Sequence, residues 1–293
     1  MQKILITGAS TGIGLETALL LARNGFQVFA GVRNPDGATA LQAALETETL
    51  PVTVVKLDVC DEASIRSAMA VTGAVDVLVN NAGIPGEGQA AETASIAQGQ
   101  VVFDTNYWGA IRMTQAVLPA MREARRGTIV NVSSIAGFLK LGELGHYTAS
   151  KHALEAASEV LAQETGHFGI RVAIIEPGVI LTPIFGKLQD PTPETSPYFF
   201  ALRRCMAFFQ SQFVNGTLPD EVAVTILHAI TTNEPKLRYL VGRDAVALAA
   251  GRAAMSDEDW LADFAIKDDE AFFDRMQQRF GLDLWRKPAN PPQ

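Results

Sequence analysis

The chain has 293 residues, 48% of them apolar, enough for a sizeable core in one large domain or two small ones. Its formal net charge is -8 and no Lys/Arg cluster is dense; an acidic surface repels phosphate backbones, which excludes a nucleic-acid partner. No apolar run reaches membrane-spanning length, and the few residues before the first apolar run are too short for a signal peptide, so a cytoplasmic protein with no membrane partner is expected.

The first predicted strand, 3–7, runs into Thr7-Gly8-Ala9-Ser10-Thr11-Gly12-Ile13-Gly14. Glycines at such a turn remove Cβ atoms where backbone must approach a phosphate. The helix predicted over 13–24 aims its free N–H groups and positive dipole end at the same place. Gly-x-x-x-Gly-x-Gly between a first strand and an amphipathic helix points to a pyrophosphate cradle, with a plain glycine turn as the alternative. The second strand, 27–33, ends Gly31-Val32-Arg33. An acid there would bind an adenosine ribose hydroxyl and favour NAD. Here Val32 leaves room and Arg33 offers a planar cation for a 2′-phosphate, which favours NADP(H) and leaves NAD(H) open.

A helix over 37–47, a strand over 52–57, a helix over 61–71 and a strand over 75–80 continue the alternation. The fourth strand ends at Asn80-Asn81-Ala82-Gly83. A long helix is predicted over 100–124, with Asn106 inside it, where an amide is an indifferent helix former. The fifth strand, 128–132, ends at Ser133-Ser134. Ligands of a parallel sheet bind beyond the carboxyl ends of its strands, and a hydroxyl there can donate to a developing oxyanion. The helix predicted over 147–166 carries Tyr147 and Lys151, four positions apart and so on one face. That spacing sets an ammonium beside a phenol and predicts a tyrosine pKa lowered from about 10. Such a tyrosine can give a proton to a carbonyl oxygen, or take one from an alcohol, near neutral pH. Alone, Tyr-x-x-x-Lys reads equally as a solvated helix face.

A sixth strand is predicted over 171–175. Pro183, Pro191, Pro193 and Pro197 then punctuate a loop, followed by a helix with Leu202, Met206, Phe209 and Phe213 on one stripe and Arg203 and Arg204 on a solvated face. Thr217 as N-cap, Pro219 and Asp220 start another helix, 238–241 is a last strand, and Ser256 with Asp259 opens an acidic helical tail. The pattern predicts an α/β fold: one doubly wound, mostly or wholly parallel sheet of about seven strands, helices on both faces. A single domain over 1–293 is expected, with a substrate lid at 183–217 and a helical extension at 244–293. Cys60 and Cys205 lie outside any CxxC or Cys/His cluster, so free thiols and no metal site are expected.

The 7–14 loop, Asn80 to Gly83, Asn106, Ser134, Tyr147 with Lys151, and Pro177-Gly178 together closely resemble the short-chain dehydrogenase/reductase family in its compact branch. The resemblance is tight over 1–182 and looser to about 242. It implies a Rossmann fold and an oxidoreductase that interconverts a ketone or aldehyde and an alcohol by hydride transfer. In that scheme Tyr147 is the general acid/base, and Ser134 polarises the carbonyl. Lys151 binds the nicotinamide ribose and lowers the Tyr147 pKa, while Asn106 holds a water linking Lys151 to solvent. Gly8, Ser10, Thr11, Gly12, Ile13 and Gly14 serve the pyrophosphate. Asp58 and Val59 flank the adenine, with Asn80, Asn81, Ala82 and Gly83 at the same cofactor site. Pro177, Gly178 and Thr182 hold the nicotinamide end. Thr11 is a departure: many NADP-preferring relatives have Lys or Arg there, which leaves Arg33 as the main discriminating cation. The Val32-Arg33 pattern is similar to that of NADP-linked hydroxysteroid and retinoid reductases. The resemblance also implies a homodimer or homotetramer paired through the helices near 100–124 and 147–166.

Three segments, 84–89, 136–144 and 183–217, are expected to wall the substrate pocket, with Phe138, Leu141, Leu144 and Phe185 as pocket residues. Such walls suit a hydrophobic small-molecule carbonyl or alcohol. The competing reading is a catalytically silent NADP-sensing binding protein of the same fold, which should lack the Tyr or the Lys. A third, an epimerase or dehydratase of the extended branch, calls for another glycine spacing and a larger substrate domain.

Overall fold

Seven short runs rich in β-branched residues form one sheet: β1 (Lys3–Thr7), β2 (Gln27–Val32), β3 (Val52–Lys56), β4 (Val77–Asn80), β5 (Gly127–Val132), β6 (Ile170–Pro177) and β7 (Arg238–Val241). The computed structural model describes residues 1–184, 192–213 and 216–281. Strand order is β3-β2-β1-β4-β5-β6-β7, and every pairing is parallel. The winding reverses between β1 and β4, so a ligand crevice opens beyond their carboxyl ends. Ile6 pairs with Val79, which brings Thr7 and Asn80 out of the sheet side by side.

Both faces are covered. Ile4 and Ile6 of β1 enter one core with Leu21, Val79 and Ile226, while Leu5 between them enters another with Leu78, Met113 and Ile129. That period of two is what a strand buried on both sides requires. The first core lies under α1 (Gly12–Arg23) and α8 (Pro219–Thr231). The second lies under α3 (Glu62–Thr72) and α5 (Gly109–Ala124). The remaining helices are α2 (Thr39–Thr47), α4 (Ile96–Phe103), α6 (Gly145–Thr165), α7 (Phe199–Phe213), α9 (Arg243–Ala253), α10 (Asp257–Phe264) and α11 (Asp269–Phe280). Among the described residues, no helix is long and apolar enough to cross a membrane.

Element order follows the expected alternation, and ends move by a few residues where caps decide them. The long helix begins at α4, capped by Ser95, and passes into α5 through a π-helical turn, Asp104–Trp108, that contains Asn106. Helix α8 is capped by Leu218, whose N–H donates to Glu221 Oε1, and not by Thr217. Thr217 is instead drawn inward, its carbonyl accepting from Leu181 N–H.

Helix α7 differs most from expectation. Its buried face runs through Leu202, Cys205 and Phe208, whereas Met206 and Phe213 are exposed. Arg204 is buried, not solvated: its guanidinium pairs with Asp269 and donates to the carbonyls of Phe264 and Ile266. It also lies over the Phe272 ring at 4.2 Å. A planar cation with five donors can satisfy all of these at once, which sequence periodicity cannot foresee. A third core follows, in which Ile135, Leu139, Val179 and Phe208 meet Leu248, Trp260, Phe272 and Met276 of the C-terminal helices.

Candidate active site

The glycine loop takes the shape its sequence requires. Gly8 has φ +69°, a conformation that favours glycine. A Cβ on Gly14 would stand 2.3 Å from the Gly8 carbonyl and 2.5 Å from Asn81 Nδ2. Thr11 caps α1 in extended conformation without a side-chain bond, so the first N–H groups of α1 remain to face a ligand. Asn81 braces the turn by donating to the carbonyls of Thr7 (2.9 Å) and Gly8 (3.1 Å).

A polar cleft of about 350 Å³ runs from this loop along the carboxyl edge of the sheet. Gly8, Ser10, Thr11, Gly12, Ile13, Arg33, Asp58, Val59, Asn81, Ala82, Gly83, Tyr147, Lys151 and Thr182 all line it, as the sequence predicts for a cofactor site. Val32, Cys60 and Thr105 also line it. Sequence reasoning did not assign the latter two to the site; the position of Cys60 just beyond β3 was the available signal for one of them.

Four predicted cofactor residues do not line this cleft: Pro177 and Gly178 border the neighbouring apolar pocket, and Asn80 and Gly14 sit elsewhere. Asn80 is buried behind the cleft, donating from Nδ2 to Asn131 Oδ1 (2.9 Å), Thr114 Oγ1 (3.3 Å) and the Ala110 carbonyl (3.4 Å). Strand alternation explains this: Asn80 and Asn81 point to opposite sides. Gly14 acts through close packing of α1 against the loop, not by lining the cleft.

At its inner end the cleft meets an apolar pocket of about 140 Å³, and Tyr147 borders both. Ser133, Ser134, Pro177, Gly178, Leu141 and Leu144 line this pocket. Phe138 does not; it is partly buried against the third core, just after the 3₁₀ turn Ile135–Gly137. Leu139, Phe208, Phe209, Val179 and Ile180 contribute walls instead. Phe185 lies outside the described residues.

Ser134, Tyr147 and Lys151 converge here. Ser134 Oγ accepts from Ala136 N–H at 3.1 Å, which fixes the oxygen and leaves its proton for the Tyr147 hydroxyl. Lys151 Nζ donates to the Val132 carbonyl at 2.8 Å and lies 5.8 Å from the Tyr147 ring centroid. Burial pushes the Tyr147 phenol above its ordinary pKa, and the Ser134 hydrogen bond only partly offsets it. The lowering expected from Lys151 is thus overturned: desolvation is the larger effect. Burial also lowers the Lys151 ammonium to about 8, opposed by the attraction of Glu155 one turn along α6. Glu155 in turn accepts from Ser133 Oγ (2.6 Å) and from Arg238 (2.5 Å), whose guanidinium also bonds Glu176.

Asn106 is held by the π-turn against the backbone of Ile84, its Oδ1 accepting at 2.8 Å and its Nδ2 donating at 3.0 Å. Nδ2 also donates to Ser150 Oγ, which donates to the Tyr147 carbonyl. Both amide protons are therefore committed, and the side chain ties the 84 loop to the start of α6. A π-turn in a helix commonly marks a functional site.

The sequence profile described as short chain dehydrogenase matches residues 2–192. Retinol dehydrogenase 8 of Homo sapiens is 39% identical over 253 residues, covering 81% of this chain and 80% of that protein. The solved structure of a short-chain dehydrogenase from Streptomyces avermitilis superposes with a TM-score of 0.76 at 34% identity, over 86% of this chain and 92% of that one. An alcohol dehydrogenase from Thermococcus sibiricus, solved with 5-hydroxy-NADP, superposes with a TM-score of 0.67 at 25% identity, over 82% and 96% of the two chains.

Proposed function

Because the chain belongs to the short-chain dehydrogenase/reductase family, whose members are oxidoreductases, we propose that it moves hydride between NADP(H) and a hydrophobic ketone, aldehyde or alcohol. The observation that carries this reading is Tyr147, whose side chain stands at the junction of the polar cleft and the apolar pocket with Ser134 and Lys151 beside it. The cleft fits a dinucleotide: Gly8 and Gly12, with φ +69° and +58°, line it without side chains at the N-terminus of α1.

A bound nicotinamide supplies or accepts the hydride. The chain's own groups manage the proton and the charge. Ser134 and Tyr147 donate hydrogen bonds to the carbonyl oxygen as negative charge develops there, and Tyr147 then gives its proton. Lys151, through its ammonium charge, favours the phenolate left behind until a proton from solvent restores the phenol. The apolar walls exclude water and select an uncharged, hydrophobic substrate. Retinol dehydrogenase 8 acts, by its name, on an alcohol of that character. The third core joins the C-terminal helices to the pocket wall, which supports reading the whole chain as one catalytic unit.

The test is a panel of hydrophobic carbonyls and alcohols assayed with NADPH and NADH at the reduced-nicotinamide absorbance band. Turnover of at least one pair is expected. Cofactor binding with no turnover on a broad panel would make the protein a cofactor sensor instead.

Arg33 stands exposed at the mouth of the cleft beyond β2, where no acid claims the ribose hydroxyl. Arg33→Ala should raise the KM for NADPH by about 10-fold or more, the worth of one charge-assisted bond to phosphate, and leave that for NADH within about twofold. Equal effects on both cofactors would end the case for NADP preference.

A second copy of the chain is the proposed partner. Val101 and Trp108 along α4 and the π-turn are 51% and 49% exposed, and Val160 on α6 is 52% exposed. These apolar side chains on the long helices support pairing through them. Light scattering should return two or four times 31.4 kDa, and a monomer would overturn the pairing.

A further inference from the structure

Beyond the residues that face the cleft and pocket, a buried carboxylate stands directly behind the turn assigned above to the nicotinamide end. We infer that Asp244, from the C-terminal helix α9, is a positioning residue that holds the Pro177-Gly178-Val179 turn in place for the nicotinamide half of the cofactor. The inference rests on the dinucleotide reading of the cleft.

Three observations carry it. First, Asp244 Oδ2 accepts from the Val179 N–H at 2.7 Å, across a sequence separation of 65 residues, and Asp244 is only 5% exposed. The backbone N–H groups of Asp244 and Ala245, in the first turn of its own helix, also favour its charged form. A buried carboxylate is unfavourable unless bonds of this kind hold it, and here backbone donors supply them.

Second, glycines shape its seat on two sides. A Cβ on Gly178 would stand 2.1 Å from Oδ1 and 2.3 Å from Oδ2, and one on Gly242 would stand 2.6 Å from Oδ1. Gly242 also has φ +102°, which L side chains rarely adopt. The fold has therefore made room at these positions for one carboxylate.

Third, the turn has little of its own to hold it. Pro177 has no N–H, and Gly178 has no side chain. Gly178 N–H donates to the Val241 carbonyl at 2.9 Å, and Asp244 takes the next N–H. Without it, a buried N–H is orphaned and a glycine gains freedom at the pocket wall. Pro177, Gly178 and Val179 all border the pocket that Tyr147 opens into. Burial pushes the Asp244 carboxyl above its ordinary range while the backbone N–H groups pull it back, as a group retained for geometry would show.

The test uses the full chain with Asp244→Asn and Asp244→Ala, titrated with NADP⁺ and separately with 2′,5′-ADP, which probes the adenosine half alone. Asp244→Ala should weaken NADP⁺ about 10-fold, the loss expected when a charge-assisted bond and its turn are released, with 2′,5′-ADP unchanged within about twofold. Asp244→Asn keeps an oxygen for the Val179 N–H and should fall between Asp244→Ala and the parent. If Asp244→Ala does not fold, Gly178→Ala, which drives a methyl into the carboxylate, should give the same selective loss. Equal weakening of both ligands, or no weakening of either, would overturn the role of Asp244 and leave the dinucleotide reading standing. Failure of the unmodified chain to bind NADP⁺ would sink both.

Discussion

Tyr147→Phe should lower kcat by about 10²–10⁴-fold, the range for loss of a positioned general acid/base, with NADP⁺ affinity within about twofold of the parent. Phenylalanine keeps the ring that borders cleft and pocket and lies near Lys151 Nζ, and removes only the hydroxyl that Ser134 contacts. The direction of the phenol shift gives a second readout. Burial keeps the phenol protonated well above neutral pH, the form that gives a proton to a carbonyl oxygen. Carbonyl reduction should therefore hold steady through neutral pH, while alcohol oxidation, which needs the phenolate, should rise as pH rises. The Phe variant should show neither trend at its residual rate. Retention of more than a tenth of parental turnover would remove Tyr147 from the reaction.

Lys151→Met is the second large effect, and it separates function from stability. Turnover should fall about 10²–10⁴-fold, because the phenolate loses its cation and the cleft loses the only Lys among its described lining residues. Stability should move the other way. The folded-state pKa of Lys151, about 8, lies below the ordinary 10.5, because burial penalises the charged form. Below pH 8 both folded and unfolded chains carry the proton, and the folded state bears the full desolvation penalty. Between pH 8 and 10.5 the unfolded chain binds more protons, so this group makes stability increase with pH until the penalty is gone. Methionine, of similar length and uncharged, removes that penalty but also loses the bond to Val132. A gain of about 1–2 kcal/mol at pH 7 is expected, shrinking toward pH 10.5, read as denaturation midpoints at the two pH values. A variant less stable at pH 7 would show that the ammonium anchors α6 to β5 more than it strains the site.

Much of the candidate site was legible because its parts lie next to strand ends or one helical turn apart. The glycine loop follows β1, Arg33 follows β2, Asn81 follows β4, Ser134 follows β5, and Tyr147 and Lys151 are four apart on α6. A parallel sheet brings all its carboxyl ends to one edge, so short-range position along the chain was enough to gather these side chains. The misreadings share a different cause. Asn80 turned inward because one residue's shift along a strand changes face. Phe138 is absent from the pocket because it packs against the third core, which gathers residues distant in the chain. Arg204 went inside because Asp269 and two carbonyls, far along the chain, could satisfy it.

By itself, then, the sequence determined the sheet and its winding, which local periodicity writes, while the glycine loop and Ser134, Tyr147 and Lys151 stood out as candidate site residues through spacing and the resemblance of their motifs to a family. Only the tertiary structure decided which way burial moves the Tyr147 and Lys151 titrations, which aromatic side chains wall the apolar pocket, and that Asp244 meets the Val179 turn. Those outcomes depend on desolvation and on contacts between residues far apart in the chain, and neither quantity is a property of any local stretch of amino acids.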